Sequence, residues 1–199
     1  AEWIFWMDDD TAPPLNAITG LLHSGHDFVA GAYFMTAEPY HPIAYRKMPD
    51  NGLYAPIYNY PDGALMQVDS VGFGCTLVHR SVYEKIRDAH TVFERHNGAL
   101  LVVPNDMVTG NVGDDYFEPY VKDGVYYEHI KAKSEDDDRQ FPFYQLEHGR
   151  TEDHYFCELA AHVGVKPWLD TTVVCTHYKT MPTTKDNYTE FLLKETGLA

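Results

Sequence analysis

The run Trp3-Ile4-Phe5-Trp6-Met7 stops abruptly at Asp8-Asp9-Asp10. Five consecutive apolar and aromatic residues have the length and composition of a strand, and the lack of alternation predicts burial on both faces. Carboxylates at the end of such a strand land on the carboxyl edge of a sheet, where open α/β sheets bind ligands. Carrying the two-residue period of a strand through the triplet sends Asp8 and Asp10 to one side and Asp9 to the other. Two carboxylates about 5 Å apart repel by roughly 3 kcal/mol at an effective dielectric near 20, so a fold that keeps them together needs a cation or strong donors between them. Hard divalent cations use such pairs and complete their shell with substrate phosphates and water. The plainer reading of the triplet is an acidic strand-to-helix turn that caps the next helix.

Working outward, Pro13 or Pro14 suits the first turn of a helix reaching about His23, and Asp27 to Phe34 (DFVAGAYF) reads as the next strand. Strand, helix, strand is the α/β order. Residues 36–63 are rich in Pro, Tyr, Gly and Asn and predict an irregular stretch with a hairpin. Residues 64–78 carry β-type side chains around Gly72 and Gly74, and a glycine inside a strand marks a bulge or the close approach of a ligand. Arg80 to Ala89 predicts a helix with Val82, Tyr83 and Ile86 on one face, and Leu100 to Val103 a strand. Residues 104–140 read as an irregular insertion, with acidic pairs at 114–115 and the run Glu135-Asp136-Asp137-Asp138 as a solvated loop. The clearest helix is Thr151 to Val163, with Thr151 as cap, Glu152 and Asp153 in the first turn and Gly164 past the end. Val173-Val174-Cys175 predicts a strand leading into His177, and Asp186 to Glu195 a last helix. No internal repeat or linker divides the chain, so residues 1–199 read as a single domain.

With 199 residues, 44% hydrophobic and 23% charged, the composition is that of a globular protein. A net charge of -15, from 30 acidic against 15 basic residues, leaves no Lys/Arg stripe and argues against a nucleic-acid partner. No run approaches the roughly 20 apolar residues of a membrane span. The three cysteines, Cys75, Cys157 and Cys175, lack paired spacing and read as reduced, buried thiols, which suits a cytoplasmic location.

Two further features can carry chemistry. Glu152 and Asp153 stabilise the dipole of their helix in the structural reading; in the functional one, an acid facing a cleft takes a proton from an acceptor hydroxyl. His177 stands at a strand end, though a single histidine among 11 is more often structural. The chain contains no GxxxxGK[ST], GxSxG or HExxH pattern.

In order along the chain, WIFWMDDDTAPP, DFVAGAYF, VDSVGFGCTLVHRSVYEKI and TEDHYFCELAAHVGVKPWLDTTVVCTHY resemble the GT-A glycosyltransferases of the family 2 type, over about residues 3–90 and 141–178. The resemblance implies a Rossmann-related mixed sheet flanked by helices. It makes Asp8-Asp9-Asp10 the DxD motif, with Asp10 on the metal and Asp8 on the metal shell or the nucleotide ribose; Asp8, Asp9, Gly72 and Gly74 are then the donor-binding residues. It makes Glu152-Asp153 the ED motif, with Asp153 the base and Glu152 its substitute, and His177 the late histidine that completes the shell of Mn2+ (or Mg2+). The implied partners are a nucleotide-sugar donor and a glycan or other hydroxyl acceptor, and the implied reaction is inverting transfer. In such enzymes strand–helix units precede the DxD strand, so the expectation is an N-terminally incomplete domain, open beside residues 3–7, with another chain or segment supplying the rest of the donor site. Two other readings stand beside this one: a metal-dependent nucleotidyl- or phosphotransferase, and a non-catalytic carbohydrate-binding protein with the same fold.

Overall fold

The computed structural model describes residues 1–94, 99–108, 121–122, 125–126, 131–132, 141–146 and 150–178. The acidic runs at 114–115 and 135–138, most of the 104–140 insertion and the expected helix at 186–195 lie outside the described residues.

In chain order the strands are β1 (Trp3–Met7), β2 (Thr11–Ala12), β3 (Phe28–Ala32), β4 (Ala44–Lys47), β5 (Tyr54–Pro56), β6 (Leu65–Gln67), β7 (Ser70–Val71), β8 (Cys75–His79), β9 (His90–Glu94) and β10 (Leu100–Pro104). They continue with β11 (Val121–Lys122), β12 (Val125–Tyr126), β13 (Lys131–Ala132), β14 (Trp168–Val174) and β15 (Thr176–His177). Three α-helices accompany them: α1 (Ala17–His23), α2 (Arg80–Ala89) and α3 (Glu152–His162).

The central sheet runs β1-β8-β3-β14-β6. It is mixed. Strand β8 is antiparallel to both β1 and β3, β14 is parallel to β3, and β6 is antiparallel to β14. Strands β1, β3 and β14 therefore point the same way and end at one edge, where β8 begins. Alternation divides the core. Phe28, Ala30, Ala32 and Val78 pack with Val82, Ile86 and Phe156 of α2 and α3, whereas Val29, Leu77 and Val173 pack with Ala17 and Leu21 of α1. The result is a single mixed α/β domain with modest helix content.

Several expectations need correction. Strand β1 is not buried on both faces, because Trp6 and Met7 are exposed; it pairs with β8 alone among the described residues, which leaves the edge beside residues 3–7 that was expected to be open. Trp6 tolerates the edge because its indole N–H donates to the Tyr83 hydroxyl at 2.8 Å. Strand β3 is buried throughout, and its small residues let its neighbours close over it. Helix α1 opens at Ala17, not at a proline, because Thr11 and Ala12 are drawn into a ladder with β15. The strand-like stretch 64–78 divides into β6, β7 and β8, with Gly72 to Gly74 as the break before β8.

Other elements form as their residues dictate. Helix α2 buries Val82, Tyr83 and Ile86 on one face. The Thr151 side chain caps α3 by accepting from the His154 N–H, and Gly164 follows with φ 76. Strands β4 and β5 form the hairpin expected between residues 36 and 63. Among the described residues, no helix is long and apolar enough to cross a membrane.

Candidate functional site

The candidate site is assembled where β1, β3 and β14 end. Strand β1 stops at Met7, so the acidic triplet does not continue its alternation. The chain turns instead: the Thr11 N–H donates to the Asp8 carbonyl at 3.2 Å, and the Asp8 N–H reaches the Gly74 carbonyl at 3.4 Å. Beyond the turn, β2 pairs with β15 in the register Thr11 to His177, and the Tyr178 N–H donates to the Asp10 carbonyl at 2.7 Å. This short ladder joins the two ends of the candidate site.

Its consequence is a direct contact. Asp10 Oδ2 lies 3.3 Å from His177 Nε2, with the histidine largely covered and the aspartate half exposed. The other ring nitrogen, Nδ1, is 2.6 Å from the Phe34 carbonyl oxygen. A carbonyl only accepts, so Nδ1 carries a proton, and in the neutral ring Nε2 turns its lone pair toward Asp10. Two lone-pair groups at that distance need a proton or a cation between them. N–H donation from one ring nitrogen to a backbone carbonyl is how metal-ligating histidines are oriented, and the approach of the other nitrogen to a carboxylate is equally that of an ion pair. With the ring protonated the contact is an ion pair; with the ring neutral, a carboxylate oxygen and an imidazole nitrogen stand side by side as two candidate ligands.

Asp8 belongs to the same electrostatic group. Its carboxyl is pushed above the usual aspartate range by partial burial, then by the charge of Asp10, while His177 pulls it down and Asp9 and Glu152 push it up. Even so, among the described residues no group of three or more His, Cys, Asp or Glu side chains is close enough to hold an ion unaided. The expected triad of Asp8, Asp10 and His177 is thus corrected to a contacting pair with Asp8 nearby. Ligands from a bound substrate would be needed to complete a shell.

Asp153 comes to this edge from the first turn of α3. Its carboxyl is pushed up to about 7, chiefly by burial and then by Glu152 and Asp8, while the Phe73 backbone amide draws it down by favouring the charged form. The pure helix-cap reading, in which the acid faces open solvent, does not hold for Asp153. It does describe the exposed Glu152.

Gly72 and Gly74 also lie here, but what approaches them within the chain is a side chain. A Cβ on Gly74 would lie 2.7 Å from Tyr33 Cζ and 2.9 Å from Thr11 Oγ1, and one on Gly72 would meet the Tyr33 hydroxyl. Tyr33 was not singled out in the sequence, although its place just past the end of β3 matches that of His177 past β14. All three cysteines are unpaired and buried, as expected, with Cys75 and Cys175 under the site. The cleft of about 610 Å³ lined by Lys47, Tyr54, Asp69, Glu158 and Lys166 contains none of the predicted site residues.

Fold and site define a mixed α/β domain with an acidic, histidine-bearing centre at the carboxyl edge of its parallel strands. No family model and no curated protein matches the chain. Among solved structures it is similar to the crystal structure of A197 from STIV, with a TM-score of 0.44 and 13% sequence identity. That match covers 90% of this chain, which spans 59% of the other chain's length.

Proposed function

We propose that this chain is a GT-A-like glycosyltransferase domain that moves a sugar from a nucleoside-diphosphate sugar to a hydroxyl acceptor, with inversion. The observation that carries this reading is the Asp10–His177 contact, with Asp8 and Asp153 in the same electrostatic group. These residues come from distant parts of the sequence and meet at one sheet edge, where α/β domains bind ligands.

Asp10 and His177 would hold Mn2+ (or Mg2+), with Asp8 close enough to bond its water shell or the donor. When bound, the cation supplies Lewis-acid stabilisation of the leaving diphosphate. Asp153 takes the proton of the acceptor hydroxyl. Its pKa of about 7, raised chiefly by partial burial, places it near the operating pH of a general base. Glu152, exposed beside it, raises the basicity of Asp153 by charge alone.

Incubation with a panel of UDP-, GDP- and dTDP-sugars, with and without manganese, tests the reading. Metal-dependent release of free nucleoside diphosphate supports it. Release of pyrophosphate or a nucleoside monophosphate points to the nucleotidyl- or phosphotransferase class, and donor binding without any release points to a binding protein.

A further inference from the structure

We propose that Tyr33 is a positioning residue that sets the gap between the metal-binding and base-bearing sides of this site; the inference rests on the functional reading above. Tyr33 directly follows β3 and is buried, so its hydroxyl needs a partner. It accepts the Gly74 N–H at 3.0 Å.

The two glycines fit this role. Neither Gly72 nor Gly74 has a positive φ, so their backbone conformation does not call for glycine. What a side chain at either position would meet first is Tyr33. The ring fills the space where those Cβ atoms would stand, and it fixes the 72–74 strip from one side while Thr11 borders Gly74 as well.

That strip carries both halves of the site. The Gly74 carbonyl accepts the Asp8 N–H at 3.4 Å, and the neighbouring Phe73 amide favours the charged form of Asp153. The edge of the same tyrosine ring packs on His177, with centroids 5.4 Å apart. One side chain thus touches the support of the acidic turn, the support of the base and the histidine itself. An apolar ring would serve packing against Leu21 and Val29 equally well. The hydroxyl is what couples Tyr33 to the strip.

Tyr33→Phe removes that single oxygen from the full chain, and amide hydrogen exchange and kinetics read the result. Exchange at Gly74 should be about tenfold faster, with Phe73 and Asp8 following and Leu21 and Val29 unchanged; kcat should fall about tenfold at unchanged donor KM, with Mn2+ affinity held within about threefold. Unchanged exchange at Gly74 overturns the proposal, as does a raised donor KM with unchanged kcat, which would make Tyr33 a substrate contact. If the wild-type chain turns over no donor in the panel, the glycosyltransferase reading fails. The exchange data then still decide whether the Tyr33 hydroxyl holds the strip.

Discussion

Asp10 Oδ2 and His177 Nε2 stand 3.3 Å apart because a two-residue ladder, Thr11–Ala12 against Thr176–His177, joins opposite ends of the described chain. The Phe34 carbonyl, accepting from Nδ1, holds the imidazole with Nε2 toward the carboxylate. Replacing His177 with Ala should weaken Mn2+ binding by about tenfold or more, since the ring supplies one of the two contacting ligands. Titration of the metal against the folded variant, followed by the electron paramagnetic resonance of free Mn2+, checks it.

For Asp153 the expectation is catalytic. Asp153→Asn should lower kcat by at least ~100-fold, the usual contribution of a positioned base, with little change in donor affinity. Steady-state kinetics on the donor identified in the panel, paired with calorimetric donor binding, separates the two effects. A similar loss in Glu152→Gln with Asp153→Asn nearly active would transfer the role to Glu152.

The same residue predicts how stability depends on pH. Burial raises the folded-state pKa of Asp153 to about 7 from an ordinary 3.8, so the folded chain holds this proton more tightly than the unfolded one. Its contribution is fully present below about pH 4 and is lost as pH rises through about 7. Asp8 shifts in the same direction. Asp153→Asn abolishes the titration, so the variant should melt higher than wild type at pH 8, and the two should converge near pH 4. Scanning calorimetry across that range checks it; a wild type more stable than the variant at pH 8 contradicts the burial of the carboxyl.

How far the site was legible in the sequence varies by element. Helices α2 and α3 were readable because spacing, cap and terminal glycine are local signals: Val82, Tyr83 and Ile86 for one, Thr151 and Gly164 for the other. Strand β1 was readable as a strand, and the resemblance implied its open edge, but the exposure of Trp6 and Met7 was not legible, because burial is decided by neighbours that the apolar run itself does not name. No local signal marks strand β9, from His90 to Glu94, because it begins directly after α2 with no turn residue between them. The ladder between β2 and β15 has no periodicity at all. Residues 8, 10, 153 and 177 could be singled out as candidates, but the contact between Asp10 and His177 came only from that non-local pairing. Tyr33 was missed for a related reason, since its role lies in the space left by two glycines 39 and 41 residues further on.

Those glycines give a test of packing independent of any chemistry. Gly72→Ala would drive a methyl into the Tyr33 hydroxyl and to 2.7 Å from Ile43 Cγ2, and should cost about 1–3 kcal/mol of stability. In a Tyr33→Phe background the nearest obstructing atom is gone, so the cost of the alanine should shrink. Urea denaturation of the four proteins in this double-mutant cycle measures the coupling.

The proposed function depends most directly on a divalent cation at Asp10 and His177. Calorimetric titration of Mn2+ into the chain in the presence of UDP, compared with Asp10→Asn under the same conditions, measures that claim. The wild type should show saturable, single-site binding, and that binding should be lost in a variant whose circular dichroism and melting temperature show it folded. Equal Mn2+ affinity in the two proteins would contradict it and remove the metal site from this sheet edge.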